Sequence, residues 1–353
     1  MATVSVVIPA RDSQETIRVT VQSLWKQTRH PDEVLIVVGH NDFTRTAIEE
    51  FVASGFVKIV VVGAPQEYVR DAQWKRWYGA KVSTGDLIFF TDSKVVVDPR
   101  AIENSLRLMD ECNVSVVGGI TPAWPDQCKN FWAKLHDHAL VSNLPNFPPV
   151  GFLTRENFGK SESLPVTTAL MMTRAVFEVV QDDFALDFSK IASTYDDYVL
   201  AWLIVNAGFS IVVTDQVIVH HKHRVTWGDY SKQIARSGQS AAIMAKMYPG
   251  CPFGVRRVKQ VRFIGLVLSF SALLGVVGVC MFERIAVVAG LLAVLVGYCV
   301  LGIVNTIKAK ETEAFLFPLF TILLVLNFAL HFTKTYIQPN HNSEEVVQYL
   351  QIH

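Results

Sequence analysis

The sequence predicts two unlike parts: an α/β domain on a doubly wound, mostly parallel sheet, and a C-terminal set of membrane-spanning helices. Three observations carry this. Short β-branched runs alternate with helical spacings over residues 4–91, three apolar runs follow one another after Phe263, and the composition changes abruptly between the two regions. Over 353 residues the chain is 50% hydrophobic and only 18% charged, with mean hydropathy +0.29, too apolar for an ordinary soluble enzyme. Lys and Arg (32) balance Asp and Glu (32), which argues against a nucleic-acid binder held by bulk charge. The apolar and aromatic content excludes disorder as the main state.

Val4–Pro9 is a β-branched run stopped by proline, and residues 13–27 repeat Ile17, Val21, Leu24 and Trp25 at helical spacing. Residues 33–38 form the next strand, 44–53 a helix and 57–62 a third strand. A helix over 71–83 then leads into a fourth strand at 86–91. This alternation means parallel pairing through crossover helices. Ligands of such sheets bind beyond the carboxyl ends of the strands. The residues to watch are therefore Pro9, Ala10, Arg11 and Asp12, then Gly39 to Asp42, then Asp92, Ser93 and Lys94. Further on, Asp196 and Asp197 open a helix with Leu200 and Leu203 on its apolar face, a setting that favours a carboxylate. Runs at 210–214 and 217–219 lead to His220-His-Lys-His-Arg224, which reads as a metal site or as a basic phosphate-facing cluster. Residues 144–164, with Arg155 and Lys160, read as an acceptor loop or as simple surface disorder. The five cysteines include no CxxC pair, so neither a disulfide framework nor a zinc site is expected.

The apolar runs cover 263–282, 285–307 and 314–332, each about 20 residues and long enough to span. Glu283 and Arg284 alone separate the first two, which predicts a tight hairpin; Pro318 near the start of the third is tolerated in a first turn. The basic cluster Arg256, Arg257, Lys259 and Arg262 places the N-terminal region in the cytoplasm, the Lys308/Lys310 loop on the same side and the tail outside. No signal peptide is expected, because residues 3–9 already read as a strand. Residues 229–262 mix apolar and basic side chains in the manner of a segment lying on an anionic membrane surface. A catalytic cleft near the headgroups and a lipid-linked acceptor follow as expectations.

The opening VSVVIPARDSQETIRVTVQSLWKQTRHPDEVLIVV, the stretch 79–86 with IFFTDS after it, and Tyr195-Asp-Asp-Tyr-Val-Leu200 with the following Asn206-Ala-Gly-Phe-Ser-Ile211 carry a resemblance in their order and spacing. Over roughly residues 3–238 the chain resembles the inverting family 2 glycosyltransferases of the GT-A fold. The resemblance implies a nucleotide-sugar donor with its nucleoside against the Pro9–Asp12 corner, and a divalent metal, Mg or Mn, at a DxD motif. It further implies that Asp197, with Asp196 beside it, is the general base for the acceptor. His220 falls where such enzymes place a metal-binding histidine, Arg76 where a basic residue approaches phosphate, and Gln233 and Arg236 where a QxxRW element stands.

The sequence also departs from the family. The DxD motif reads Asp92-Ser93-Lys94, so Lys94 is expected to supply positive charge directly and to weaken metal dependence; the competing reading has Asp92 and a histidine holding the ion. The usual base reader after the second strand is absent, leaving Asn41, Asp42 or His40, and a uridine or guanosine diphosphate sugar as donor. Trp77 follows Arg76 in place of asparagine, and Ser237 replaces the QxxRW tryptophan. The expected organisation is a catalytic domain at 1–228, a juxtamembrane segment at 229–262, three spans within 263–335 and a tail at 336–353. The expected function is sugar transfer to a lipid-linked acceptor, with Arg155, Gln233 and Arg236 on the acceptor side and homo-oligomerisation left open. A catalytically decayed membrane-anchored binding or scaffold protein is the competing class.

Overall fold

The computed structural model describes residues 2–62, 72–138, 148–159, 164–185, 196–281, 284–309 and 312–338. They divide into two compact units, one of residues up to Cys128 with Asn143–His223, the other of Lys129–Ser142 with Arg224–Pro339.

The first unit opens with β1 (Val4–Pro9), α1 (Ile17–Trp25), β2 (Glu33–Gly39), α2 (Glu49–Ala53), β3 (Val57–Val62), α3 (Ala72–Val82) and β4 (Leu87–Phe90). Every residue of β1, β2 and β4 is buried, as a parallel sheet covered on both faces requires. β5 (Val95–Val97), α4 (Ala101–Glu111) and β6 (Val116–Ile120) follow; α5 (Phe131–His138) belongs to the other unit. The first unit then resumes with β7 (Gly151–Leu153), β8 (Leu170–Thr173), α6 (Arg174–Ala185), α7 (Asp196–Asn206) and β9 (Ile211–His221). Among the described residues the sheet order is β3-β2-β1-β4-β8-β6-β9-β5, with β7 also on β9.

The four N-terminal strands pair in parallel as predicted. The expectation of a mostly parallel sheet fails beyond them. β8 inserts antiparallel between β4 and β6, and β5 and β7 lie antiparallel on β9, so the sheet is mixed. Strands of three or four residues carry too little periodicity to announce themselves, and the runs at 210–214 and 217–219 merge into the single strand β9. α3 lies directly on β1 and β2: a Cβ on Gly79 would stand 2.5 Å from Val7 Cγ1 and 2.8 Å from Val37 Cγ2. That close approach fixes Arg76, one turn earlier, beneath the strand ends.

The second unit contains α5, α8 (Trp227–Met247), α9 (Pro252–Met281), α10 (Arg284–Ala309) and α11 (Phe317–Ile337). Thr226 caps α8 by accepting from the Asp229 N–H. α8 packs on α11: the Asn327 amide donates to the Ser231 carbonyl at 2.9 Å, and a Cβ on Gly238 would stand 2.5 Å from the Phe328 carbonyl oxygen. Leu135 of α5 joins Tyr230, Ile234, Phe317 and Leu324 in this unit's core. The segment 229–262 is two helices, α8 and the first turns of α9, with the basic cluster inside α9. α9, α10 and α11 coincide with the three apolar runs. Among the described residues Thr312–Ile337 is long and apolar enough to cross a membrane, with mean hydropathy 2.1, and Val294–Lys308 within α10 is a shorter apolar stretch. Lys160, Tyr195, Glu283, Lys310 and the tail beyond 338 lie outside the described residues, as does the side chain of Asp196.

Candidate active site

Three strand ends of the first unit converge. Beyond β1, Asp12 adopts φ +45°, and beyond β2, Asn41 adopts φ +60°, left-handed conformations that Asp and Asn tolerate better than most residues. The Asp42 carboxylate ties the two corners together, accepting from the Asp12 N–H at 3.0 Å and the Thr44 N–H at 2.8 Å. The Ser13 and Ser93 hydroxyls meet at 2.8 Å, and Thr16 Oγ1 donates to the Ser93 carbonyl at 2.8 Å, drawing in the corner after β4. Beneath them, buried Lys75 of α3 donates to the Ala10 carbonyl at 2.5 Å. Arg11, Asp12 and Asn41 are exposed at the rim. Asp42, expected as a base reader, spends both carboxylate oxygens on backbone N–H groups and acts as a clasp.

Two carboxylates face one guanidinium at the centre. Arg76, buried on α3, donates to Asp92 Oδ1 at 2.6 Å. Asp92 Oδ2 accepts from Thr168 Oγ1 at 3.1 Å and lies 3.6 Å from His221 Nε2. Burial opposes ionisation of Asp92, but the charge of Arg76, with His221 and Lys94 behind it, outweighs burial and holds this carboxyl far below the usual carboxylate range. Asp197, in the first turn of α7, accepts at Oδ1 from the Thr167 N–H at 2.8 Å and from the Thr167 hydroxyl. Its carboxyl is pushed up: burial and the charge of Asp92 outweigh Arg76 and the Thr167 hydrogen bonds. Neighbouring carboxyls driven apart in this way suit different tasks, one permanently anionic and one able to take a proton.

The histidines divide. His220 Nδ1 lies 3.0 Å from the Ala123 carbonyl oxygen, and His221 stands beside Asp92. Alternation along β9 accounts for this: Val217 and Val219 face the core, and His221 is the next residue on their side. Arg155 is exposed in a turn that Asn157 braces, its Oδ1 accepting from the Thr154 N–H at 2.8 Å. Gln233 and Arg236 lie on α8 in the helical unit, Gln233 half-buried and Arg236 exposed.

Residues 2–240 match the family described as glycosyltransferase like family 2. The chain belongs to this family. It is 29% identical over 119 residues to the O-antigen biosynthesis protein RfbC of Myxococcus xanthus, a match covering 33% of this chain and 9% of that protein. Among solved structures it resembles the mannosyltransferase PcManGT of Pyrobaculum calidifontis, determined in complex with GDP-Man and Mn2+, with TM-score 0.62 at 13% identity over 96% of this chain and 88% of the other. It also aligns with residues 1–349 of S. aureus TarS, with TM-score 0.49 at 13% identity over 99% and 92% of the two chains. The mannosyltransferase likeness identifies the fold as GT-A-like, and family membership makes the chain a glycosyltransferase.

A divalent ion, which the family implies, fits here with a reduced donor set. Asp92 Oδ2 and His221 Nε2, 3.6 Å apart, have the spacing of neighbouring ligands on one ion, and Mg-type sites take their remaining oxygens from substrate phosphates and water. Lys94 stands where a second carboxylate would complete a DxD pair. Sequence reasoning missed Lys75, Thr167 and Thr168, and within the histidine cluster it singled out His220 rather than His221. For His221 the alternation from Val217 and Val219 was the available signal; for the two threonines there was none, because a short turn before a four-residue strand has no pattern to read.

Proposed function

We propose that the protein is a membrane-bound inverting glycosyltransferase that moves a sugar from a nucleotide-diphosphate sugar to a lipid-linked acceptor at the cytoplasmic face of the membrane. The acceptor is a polyprenyl phosphate, a lipid-linked glycan or a glycolipid. The observation that carries the catalytic part is the Asp92–Arg76–Asp197 constellation at the carboxyl ends of the strands, with its two carboxyls shifted in opposite directions. The acceptor hydroxyl attacks the anomeric carbon in line, its proton passes to Asp197, and the bond from that carbon to the diphosphate oxygen breaks with inversion. Lys94 lies at the charged end of β4 and meets the negative charge that builds on the leaving diphosphate. A divalent ion held by Asp92 and His221 would add to that neutralisation. The corners at Pro9–Asp12 and Asn41 cradle the nucleoside.

The helical unit supports the membrane part. Phe263, Leu266 and Phe270 of α9, Val294 of α10 and Leu330 of α11 are each more than 60% exposed, which water does not favour on one unit and lipid does. The basic cluster in α9 then lies at the cytoplasmic interface and Arg236 faces anionic headgroups. Incubation with a panel of labelled nucleotide sugars and a membrane lipid extract tests this reading: one lipid becomes labelled, and Asp197→Asn abolishes the labelling. If the acceptor is an already ionised phosphate, Asp197→Asn retains partial transfer and the acceptor class is narrowed. The decayed-scaffold reading predicts instead that nucleotide sugars raise the melting temperature while no lipid is labelled. The buried Arg76–Asp92 pair weighs against it, since burying a guanidinium and a carboxylate is costly to keep without use.

A further inference from the structure

A single short turn joins the two carboxylates. Thr167 and Thr168 are consecutive, both buried, in the turn Thr167–Ala169 that enters β8. β8 lies hydrogen-bonded between β4 and β6, so the turn is anchored in the middle of the sheet. From it Thr168 reaches back to Asp92 Oδ2, beyond the end of β4, and Thr167 reaches Asp197 Oδ1, in the first turn of α7, with both its N–H and its hydroxyl. Among the described residues no donor reaches Asp197 Oδ2.

We propose that Thr167 and Thr168 are positioning residues that hold the acceptor-side and donor-side carboxylates in one register. Thr167 pins Oδ1 of Asp197 and reserves Oδ2 as the atom that takes the acceptor proton, while Thr168 fixes the carboxylate plane of Asp92. This deepens the proposed function and rests on Asp197 being the base. Two donors on one oxygen favour the ionised carboxylate and remove its freedom to rotate, so each encounter presents the same atom to the acceptor. The other charged groups facing Asp197 are Arg76 from α3 and Asp92 from the end of β4; Arg76 directs its hydrogen bond to Asp92 Oδ1, while Thr167 takes Oδ1 of Asp197, so the Thr167 contribution is separable from theirs.

The test is the titration of aspartate 13Cγ resonances in the full-length protein in detergent, without substrate, with Asp197→Asn and Asp92→Asn identifying the two signals. Thr167→Val removes one hydrogen bond to the ionised form while keeping the side-chain shape, and raises the Asp197 midpoint by about one pH unit. Thr167→Ser restores it. Thr168→Val displaces the Asp92 resonance and leaves the Asp197 midpoint in place. An unchanged midpoint in Thr167→Val, or an equal movement in Thr168→Val, overturns the proposal. Unperturbed resonances from the remaining aspartates report folding, and Thr167→Ala serves if the valine variant fails to fold. Failure of the lipid-labelling experiment would count against the function while leaving this titration readable.

Discussion

Asp92 and Asp197 are the same side chain, both mostly enclosed, and the fold drives them in opposite directions. Asp92 has Arg76 in direct contact and Lys94 and His221 beside it, so charge overrides burial; Asp197 has only hydrogen bonds and a more distant share of Arg76, so burial and the charge of Asp92 win. The difference teaches that a guanidinium in contact, backed by an imidazole and an ammonium, separates a fixed anion from a proton acceptor.

The most direct way to break the contrast is Asp197→Asn. Transfer to a hydroxyl acceptor should fall by about a thousandfold or more, as losing a general base does at the upper end of its usual contribution, while donor binding by calorimetry stays near wild type. Arg76→Met removes the source of the contrast: it leaves Asp92 without its ion-pair partner and should cost about 3 kcal/mol in denaturant unfolding.

A gentler probe sharpens the contrast through pH. Asp92 has a depressed folded value, so its stabilisation is fully present above the unfolded carboxylate value near 4 and is lost only as pH falls through that depressed value. Asp197 has a raised folded value, so its ionisation costs stability at neutral pH, and the cost disappears as pH falls through the raised value. Unfolding measured against pH should therefore show Asp197→Asn more stable than wild type at pH 7, with the gap closing on acidification. The acid limb of kcat/KM should report Asp197 and be absent from any Asp92 effect. Smaller still, Gly79→Ala should cost about 1–3 kcal/mol by forcing α3 off Val7 and Val37, shifting Arg76 against both carboxylates and reducing kcat alongside stability.

How much of this was legible in the sequence depended on length and period. The parallel strands were, because Val4–Pro9 and Glu33–Gly39 are long β-branched runs punctuated by proline and glycine. The apolar runs after Phe263 were as well, and the helices α9 to α11 follow them. Asp92, Arg76 and Asp197 were reached through resemblance and do meet in space. The antiparallel strands were not legible, since three residues cannot show an alternation, and the loop-closing contacts of Asp42 were not either, because a carboxylate that closes a loop has the same spelling as one that reads a base. Thr167 and Thr168 were invisible for a further reason: their partners lie 30 and 76 residues away, and only the sheet brings them near.

The register of β9 has one further consequence. Gly118 pairs with Val213 and Ile120 with Ile218, so two steps along β6 answer to five along β9, and the odd count reverses which side the residues after it present. The imidazole delivered to Asp92 is thus chosen by arithmetic: insert one residue between Val213 and Ile218 and His220 would take the place of His221, delete one and Lys222 would, with no histidine altered. Chain length in that short stretch is a dial on which side chain meets Asp92, open to natural drift and to the engineer alike.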